Sequence, residues 1–204
     1  DTRDRLSILV LFDAAVVKTT IHTAALMGAF LFMYHSTTFW YPTLLGQMHR
    51  QTLPYMVAFN VAAVAGAVFV GRWSEGALGR RGAATLATLV GVLSLPLYVW
   101  GSSGVLLIAG ALVMGFFGVG NFGVVPAYLN ERFPTFVRAV GAGFAYHVGA
   151  GFGSSTPFIV GFLQDRGYSL AFAMTLCIAA SGAAVTALIW MGPETRGREF
   201  KAET

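Results

Sequence analysis

Five runs of the chain carry no Lys, Arg, Asp or Glu: 19–49, 51–71, 82–130, 139–164 and 167–193. A helix crosses the hydrocarbon core with roughly 20 mostly apolar residues, and each run meets that length. The third run is too long for one crossing, and Gly101-Ser102-Ser103-Gly104 in its middle is a turn signal that divides it. The pattern therefore predicts six transmembrane helices, near 20–46, 53–71, 83–100, 105–128, 139–163 and 168–191. The expected fold class is all-α, integral to the membrane. The apolar stretch Leu6 to Phe12 is too short to span, and Asp13 and Lys18 follow it, so it reads as an interfacial helix or linker. Three regions result: a linker over 1–18, a transmembrane domain over 19–192 and a tail over 193–204. Without a basic cap, a long apolar core and a small-residue cleavage pattern the start does not read as a signal peptide, and the chain is expected to be a piece of a longer polypeptide.

Composition agrees with this division. Charged residues make up 11% of the chain against 56% hydrophobic ones, too little charge to coat a soluble globule of this size. The net charge of +4 matters less than its placement. On the predicted spans, Arg3, Arg5, Lys18, Arg72, Arg80, Arg81, Arg132, Arg138, Arg196, Arg198 and Lys201 share one side, and only Arg50 and Arg166 the other. Basic residues in short loops stay cytoplasmic, so both ends are expected in the cytoplasm of a multi-pass plasma (inner) membrane protein. Membrane-flanking cations of this kind are not a nucleic-acid stripe, and the bilayer is the expected partner. Trp40, Tyr41, Tyr55, Trp73, Tyr98 and Trp100 fall near span ends, where amphipathic rings prefer the headgroup level. Cys177, the single cysteine, excludes a disulfide framework and reads as a buried small hydrophobe. His22 and His49 read as surface residues, no histidine pair has metal-ligand spacing beside an acid, and neither metal nor cofactor is expected.

Gly118-Val119-Gly120-Asn121-Phe122-Gly123 matches a dinucleotide-binding fingerprint but lies inside an apolar stretch with no preceding strand. Gly110, Gly115, Gly118, Gly120 and Gly123 read better as small residues that let helices approach, as do Gly149 and Gly153 in a GxxxG pair. An intramembrane hydrolase is disfavoured, because Gly153-Ser154-Ser155-Thr156-Pro157 does not complete GxSxG and no acid pair lies in a span. A channel would require re-entrant segments that the sequence does not display.

The loops on the basic side carry sharper signals. Gly71-Arg72-Trp73-Ser74-Glu75-Gly76-Ala77-Leu78-Gly79-Arg80-Arg81 resembles the G-x-x-x-D-R-x-G-R-R loop of the major facilitator superfamily, one residue longer and with Gly76 in place of a basic residue. Glu131-Arg132-Phe133-Pro134-Thr135-Phe136-Val137-Arg138 is similar to the E-x-F-P-T-x-x-R signature of its sugar and metabolite porters, and Pro193-Glu194-Thr195-Arg196-Gly197 to their P-E-T-K/R-G ending. The resemblance covers nearly the whole chain. It implies the C-terminal half of a 12-helix transporter, built of two three-helix repeats, whose partner is an N-terminal half of the same transporter. Glu75, Arg80, Arg81, Glu131, Arg138 and Glu194 are then expected to form a salt-bridge latch at the cytoplasmic helix ends.

Polar groups inside spans are expensive and are functional candidates. Here they are Tyr34, His35, Asn60, Asn121, Tyr146 and His147. Tyr34-His35-Ser36-Thr37-Thr38-Phe39-Trp40-Tyr41-Pro42-Thr43 resembles the H-x-S/T-Q-D-x-x-P-T segment of the lactate-permease and sialate branch, with Thr38 and Phe39 standing where that segment has Gln and Asp. The resemblance implies secondary transport of a small organic acid by proton symport with alternating access. A sugar or other metabolite is the alternative. With no Asp or Glu in any span, the titrating group is expected in the other half or at His35 or His147.

Overall fold

The computed structural model describes residues 8–197, and among them all regular structure is helical. A 3-10 turn, Ile8–Phe12, leads into α1 (Val17–Thr38), α2 (Tyr41–Gln47), α3 (Thr52–Glu75), α4 (Gly79–Leu93), α5 (Leu95–Tyr98) and α6 (Gly104–Val113). A π turn, Met114–Val119, and a 3-10 turn, Gly120–Gly123, continue α6 into α7 (Val125–Arg132). α8 (Arg138–Gly153), α9 (Thr156–Asp165) and α10 (Leu170–Met191) complete the bundle.

Three helical runs, Thr52–Glu75, Gly104–Arg132 and Leu170–Met191, are by themselves long and apolar enough to cross a membrane. The other three expected spans are broken. α1 gives way to α2, α4 to α5 and α8 to α9, and in each pair the second helix has a proline in its first turn: Pro42, Pro96 and Pro157. Proline removes an N–H and crowds the carbonyl four residues back, so the helix stops and restarts there. The prolines were visible in the sequence, and the continuous spans over 20–46, 83–100 and 139–163 are corrected accordingly. Ser103 and Ser169 accept from Leu106 N and Phe172 N, capping α6 and α10 where the chain turns back.

Packing pairs the crossings symmetrically. α1 packs on α8 and α10, α3 on the turns between α6 and α7, and α4 on both α10 and the π turn. The first crossing thus meets the fifth as the fourth meets the second, and the third meets the sixth. This is the pattern of two three-helix repeats, and an odd number of crossings per repeat turns the second upside down relative to the first.

Glycine sets how close these pairs come. A Cβ on Gly149 would lie 2.8 Å from Gly28 N, one on Gly153 2.9 Å from His35 Nδ1, and one on Gly120 2.9 Å from the Gly66 carbonyl carbon. The dinucleotide-like glycine segment is therefore a helix-packing surface, as the sequence indicated.

The bundle has a basic end, with Arg72, Arg80, Arg81, Arg132 and Arg138, and an opposite end with Arg50 and Arg166. Arg3, Arg5, Arg198 and Lys201 lie outside the described residues, as does the first part of the Leu6 to Phe12 stretch. Within the Ile8–Phe12 turn Leu11 is buried against Phe133 and Val137 while Ile8, Leu9 and Phe12 are exposed. Of the rings assigned to the headgroup belt, Trp73 and Trp100 are exposed, but Tyr41, Tyr55 and Tyr98 are core. Tyr41 stacks on Tyr98 at 4.0 Å between centroids, and the Tyr98 hydroxyl donates to Thr37 O at 2.9 Å. An available hydrogen-bond acceptor and a facing ring outweigh the headgroup preference there.

Candidate functional site

At the basic end α3, α4, α7 and the segment after α10 converge on one guanidinium. The Arg80 side chain is 8% exposed, and its Nη2 lies 2.6 Å from both Glu75 Oε1 and Glu131 Oε1. Its Nε donates to both Glu131 oxygens at 3.2 and 3.1 Å, and its Nη1 to Ser74 Oγ at 2.6 Å. Glu131 is matched as a bidentate partner, the strongest form of this pair. Burial alone would weaken the Arg80 cation, but Glu131 and then Glu75 outweigh it and push its pKa up.

Glu194 plays a different part from the one expected. Its carboxylate accepts from the backbone N–H groups of Arg80 (2.9 Å) and Arg81 (3.1 Å), capping α4, and from those of Thr195 and Arg196 (2.9 Å each). Gly79 makes this possible. At φ +66° it turns the chain into the helix and leaves room for the carboxylate, where a Cβ would lie 2.6 Å from Glu194 Oε2. An acid at a helix N-terminus also meets the positive end of the helix dipole. Partial burial would raise the Glu194 pKa, but the four N–H donors hold it below the ordinary carboxylate value.

The other two arginines also have partners outside this cluster. Arg81 donates to Gly192 O at 3.1 Å and lies over the Trp190 ring at 4.1 Å, and Arg138 donates to Asn130 O and Thr135 Oγ1. Two contributors escaped the sequence reading. Fully buried Thr195 donates to Glu131 Oε2 at 2.6 Å, and Ser74 accepts from Arg80. Thr195 sits inside the quoted P-E-T-R-G segment, but nothing in a lone threonine announces a clamp.

The solute candidates divide sharply. Asn121 is fully buried, and its Nδ2 donates to Thr88 Oγ1 at 2.9 Å and lies 3.4 Å from Ala84 O, both on α4. That is an interhelical tie rather than a surface offered to a solute. Asn60 is exposed on α3, with Nδ2 donating to Met56 O at 2.7 Å. Half-buried Tyr34 packs edge-on against Phe122. His35 and His147 share one geometry: each Nδ1 lies 2.8 or 2.7 Å from the carbonyl one turn back, Leu31 O or Gly143 O. A carbonyl only accepts, so Nδ1 carries the proton in both rings and Nε2 presents a lone pair when the ring is neutral. His147, Tyr146, Asn130 and Gly143 line a cleft of about 280 Å³ between α7 and α8.

His22 is no surface residue. It is half-buried, with Nε2 2.8 Å from Leu188 O of α10.

Residues 11–203 match the model of the family described as sugar (and other) transporter. The chain belongs to that family. That places it in the major facilitator superfamily, a family of membrane proteins. It is 28% identical over 179 residues to a niacin transporter, NiaP, of Acinetobacter baylyi, covering 84% of this chain and 40% of the relative. It is 31% identical over 204 residues to a probable 4-methylmuconolactone transporter of Cupriavidus pinatubonensis, covering 95% of this chain and 46% of the relative. A cis,cis-muconate transport protein of Acinetobacter baylyi is 30% identical over 148 residues, 70% of this chain and 36% of the relative. The chain spans less than half the length of these relatives.

Proposed function

We propose that this chain is the C-terminal half of a secondary transporter that carries a small organic acid with a proton by alternating access, in the plasma membrane with its basic end in the cytoplasm. The observation that carries the acid and the proton together is the shared geometry of His35 and His147. A neutral Nε2 lone pair repels a carboxylate, whereas the imidazolium Nε2–H attracts it, so with Nδ1 already committed the ring binds acid and proton jointly. Gly153, against which His35 packs, lies six residues beyond His147 on one helical run, about 9 Å along the axis at 1.5 Å per residue. Tyr34, Tyr146 and Asn60 supply the remaining polar edge of a wall that faces the N-terminal half. Asn60 belongs there, because an exposed amide is tolerated at membrane depth where it lines a cavity rather than lipid.

Relatives named for niacin and muconate support this choice of solute, both being small carboxylates. The Arg80 cluster is the latch: it ties α3, α4, α7 and the strap after α10 when the cytoplasmic side is closed, and opening must break it.

The test is uptake by the full-length transporter in liposomes, with a panel of nicotinate, benzoate, lactate, sialic acid and glucose and an imposed proton gradient. The expected result is carboxylate uptake driven by the gradient. A charge-assisted hydrogen bond is worth about 1.5–3 kcal/mol, so His147→Gln or His35→Gln should raise KM by roughly 10- to 100-fold. Glucose uptake without carboxylate uptake would assign the protein to the sugar alternative, and acid uptake indifferent to both variants would move the site to the other half.

A further inference from the structure

His22 lies one turn into α1, where α1, α7, α10 and the strap meet. Its Nε2 serves Leu188 O, a carbonyl of the last turn of α10 that the helix end leaves unsatisfied. That carbonyl forces the proton onto Nε2. Nδ1 is buried and, among the described residues, has no hydrogen-bond partner. Gly192 lies directly against the ring, where a Cβ would come 2.9 Å from Cε1. The next residue, Pro193, accepts from the Tyr128 hydroxyl at 3.1 Å, and Glu194 and Thr195 then enter the Arg80 cluster. His22 thus sits at the root of the strap.

Arg132 of α7 acts on the ring, and exposed Lys18 lies one turn earlier on α1 itself. From α7 the Tyr128 hydroxyl is engaged on Pro193, and from the strap the Glu194 carboxylate is taken by backbone N–H groups. Arg138, opening α8, is bonded to Asn130 and Thr135. α10 brings no ionisable group to this turn, its Cys177 lying three turns away.

We infer that His22 is a positioning residue that makes the latch sensitive to protons: neutral, it holds α1 to the end of α10 and the strap, and protonated, it releases them. A second proton goes to Nδ1, which then is a buried N–H without an acceptor, with the Arg132 cation acting on the same ring, an arrangement that water relieves only when the elements part. The negative end of α10 and the Leu188 carbonyl both favour the imidazolium, and they are opposed by the burial of the ring with its unmet Nδ1–H and by Arg132. The inference rests on reading the basic end as the moving gate, and its test requires no known solute.

Spin labels at Ala15 and Met191, both exposed, in the full-length transporter with Cys177→Ser, report the separation of the α1 lead-in from the end of α10. At pH 7.5 one short distance is expected. At pH 5.5 a longer population should rise at least threefold, with a midpoint in the histidine range around 6.5. His22→Gln keeps a donor for Leu188 O and does not titrate, so it should hold the short distance at both pH values. An unchanged wild-type distance, an equal rise in His22→Gln, or a midpoint in the carboxylate range would each overturn the inference, the last by assigning the response to Glu194. If His22→Gln fails to fold, the wild-type midpoint alone decides. An absence of acid uptake would sink the proposed function and leave this result standing.

Discussion

Glu75 and Glu131 touch the same Arg80 nitrogen at the same 2.6 Å, yet they should not be worth the same. The Glu75 side chain is 64% exposed and the Glu131 side chain 11%. An exposed pair contributes about 0–1 kcal/mol, because water screens it and ordering a free side chain costs entropy. Breaking a buried pair costs about 3–5 kcal/mol, because the remaining charge is stranded. Glu131→Gln falls short of that limit, since Arg80 retains Glu75 and the amide oxygen still accepts, which brings the cost to about 2 kcal/mol. Glu75→Gln should cost about 0.5 kcal/mol or less. At about 2–4 °C per kcal/mol for a domain of this size, the melting midpoint should drop by roughly 4–8 °C for Glu131→Gln and by under about 2 °C for Glu75→Gln. Double-mutant cycles with Arg80→Ala, read by thermal unfolding in detergent, isolate the two couplings. Equal couplings, or a larger one for Glu75, would refute the argument that burial rather than contact distance sets the energy of this latch.

Three further outcomes follow from the same structure. Glu194 has a depressed folded-state pKa, so its stabilisation is fully present above the ordinary carboxylate value and is lost as pH falls through the lower folded one; the midpoint gap between wild type and Glu194→Gln should be full at pH 7 and close below that window, and a gap constant down to pH 3 would contradict the capping role. On one helix, Gly149→Ala meets backbone of α1 and should cost about 1–3 kcal/mol, whereas Gly151→Ala meets nothing within 4 Å and should be neutral or stabilising by up to about 1 kcal/mol, which paired unfolding curves will show. Asn121→Ala should lower stability by about 1 kcal/mol, as should Thr88→Val, with the double variant no worse than either and solute KM unchanged; a KM effect of Asn121→Ala alone would return it to the solute site.

The sequence settled those features in which local chemistry has one outcome. Long uncharged runs must be helices in lipid, because no water there can serve an open backbone, and this set the all-helical class before any coordinates. The glycine pairs and the acids and arginines of the basic loops were likewise legible, because a helix crossing needs small residues and a charged loop end must find partners. Pro42, Pro96 and Pro157 mark where the structure restarts its helices, but the uncharged runs smoothed over the breaks and continuous spans were expected there.

What only the tertiary structure decided is which group meets which, since that depends on elements far apart in sequence. Arg80 takes Glu131 across 51 positions, Glu194 caps α4 across more than 110, and His22 reaches Leu188 across 166. Burial is equally non-local. Asn60 and Asn121 look alike along the chain, but α4 covers one and leaves the other in the open, which makes one a tie between helices and the other a candidate for solute. Hydropathy measures a residue's own cost of leaving water, and only the packed bundle supplies the neighbour that compensates it.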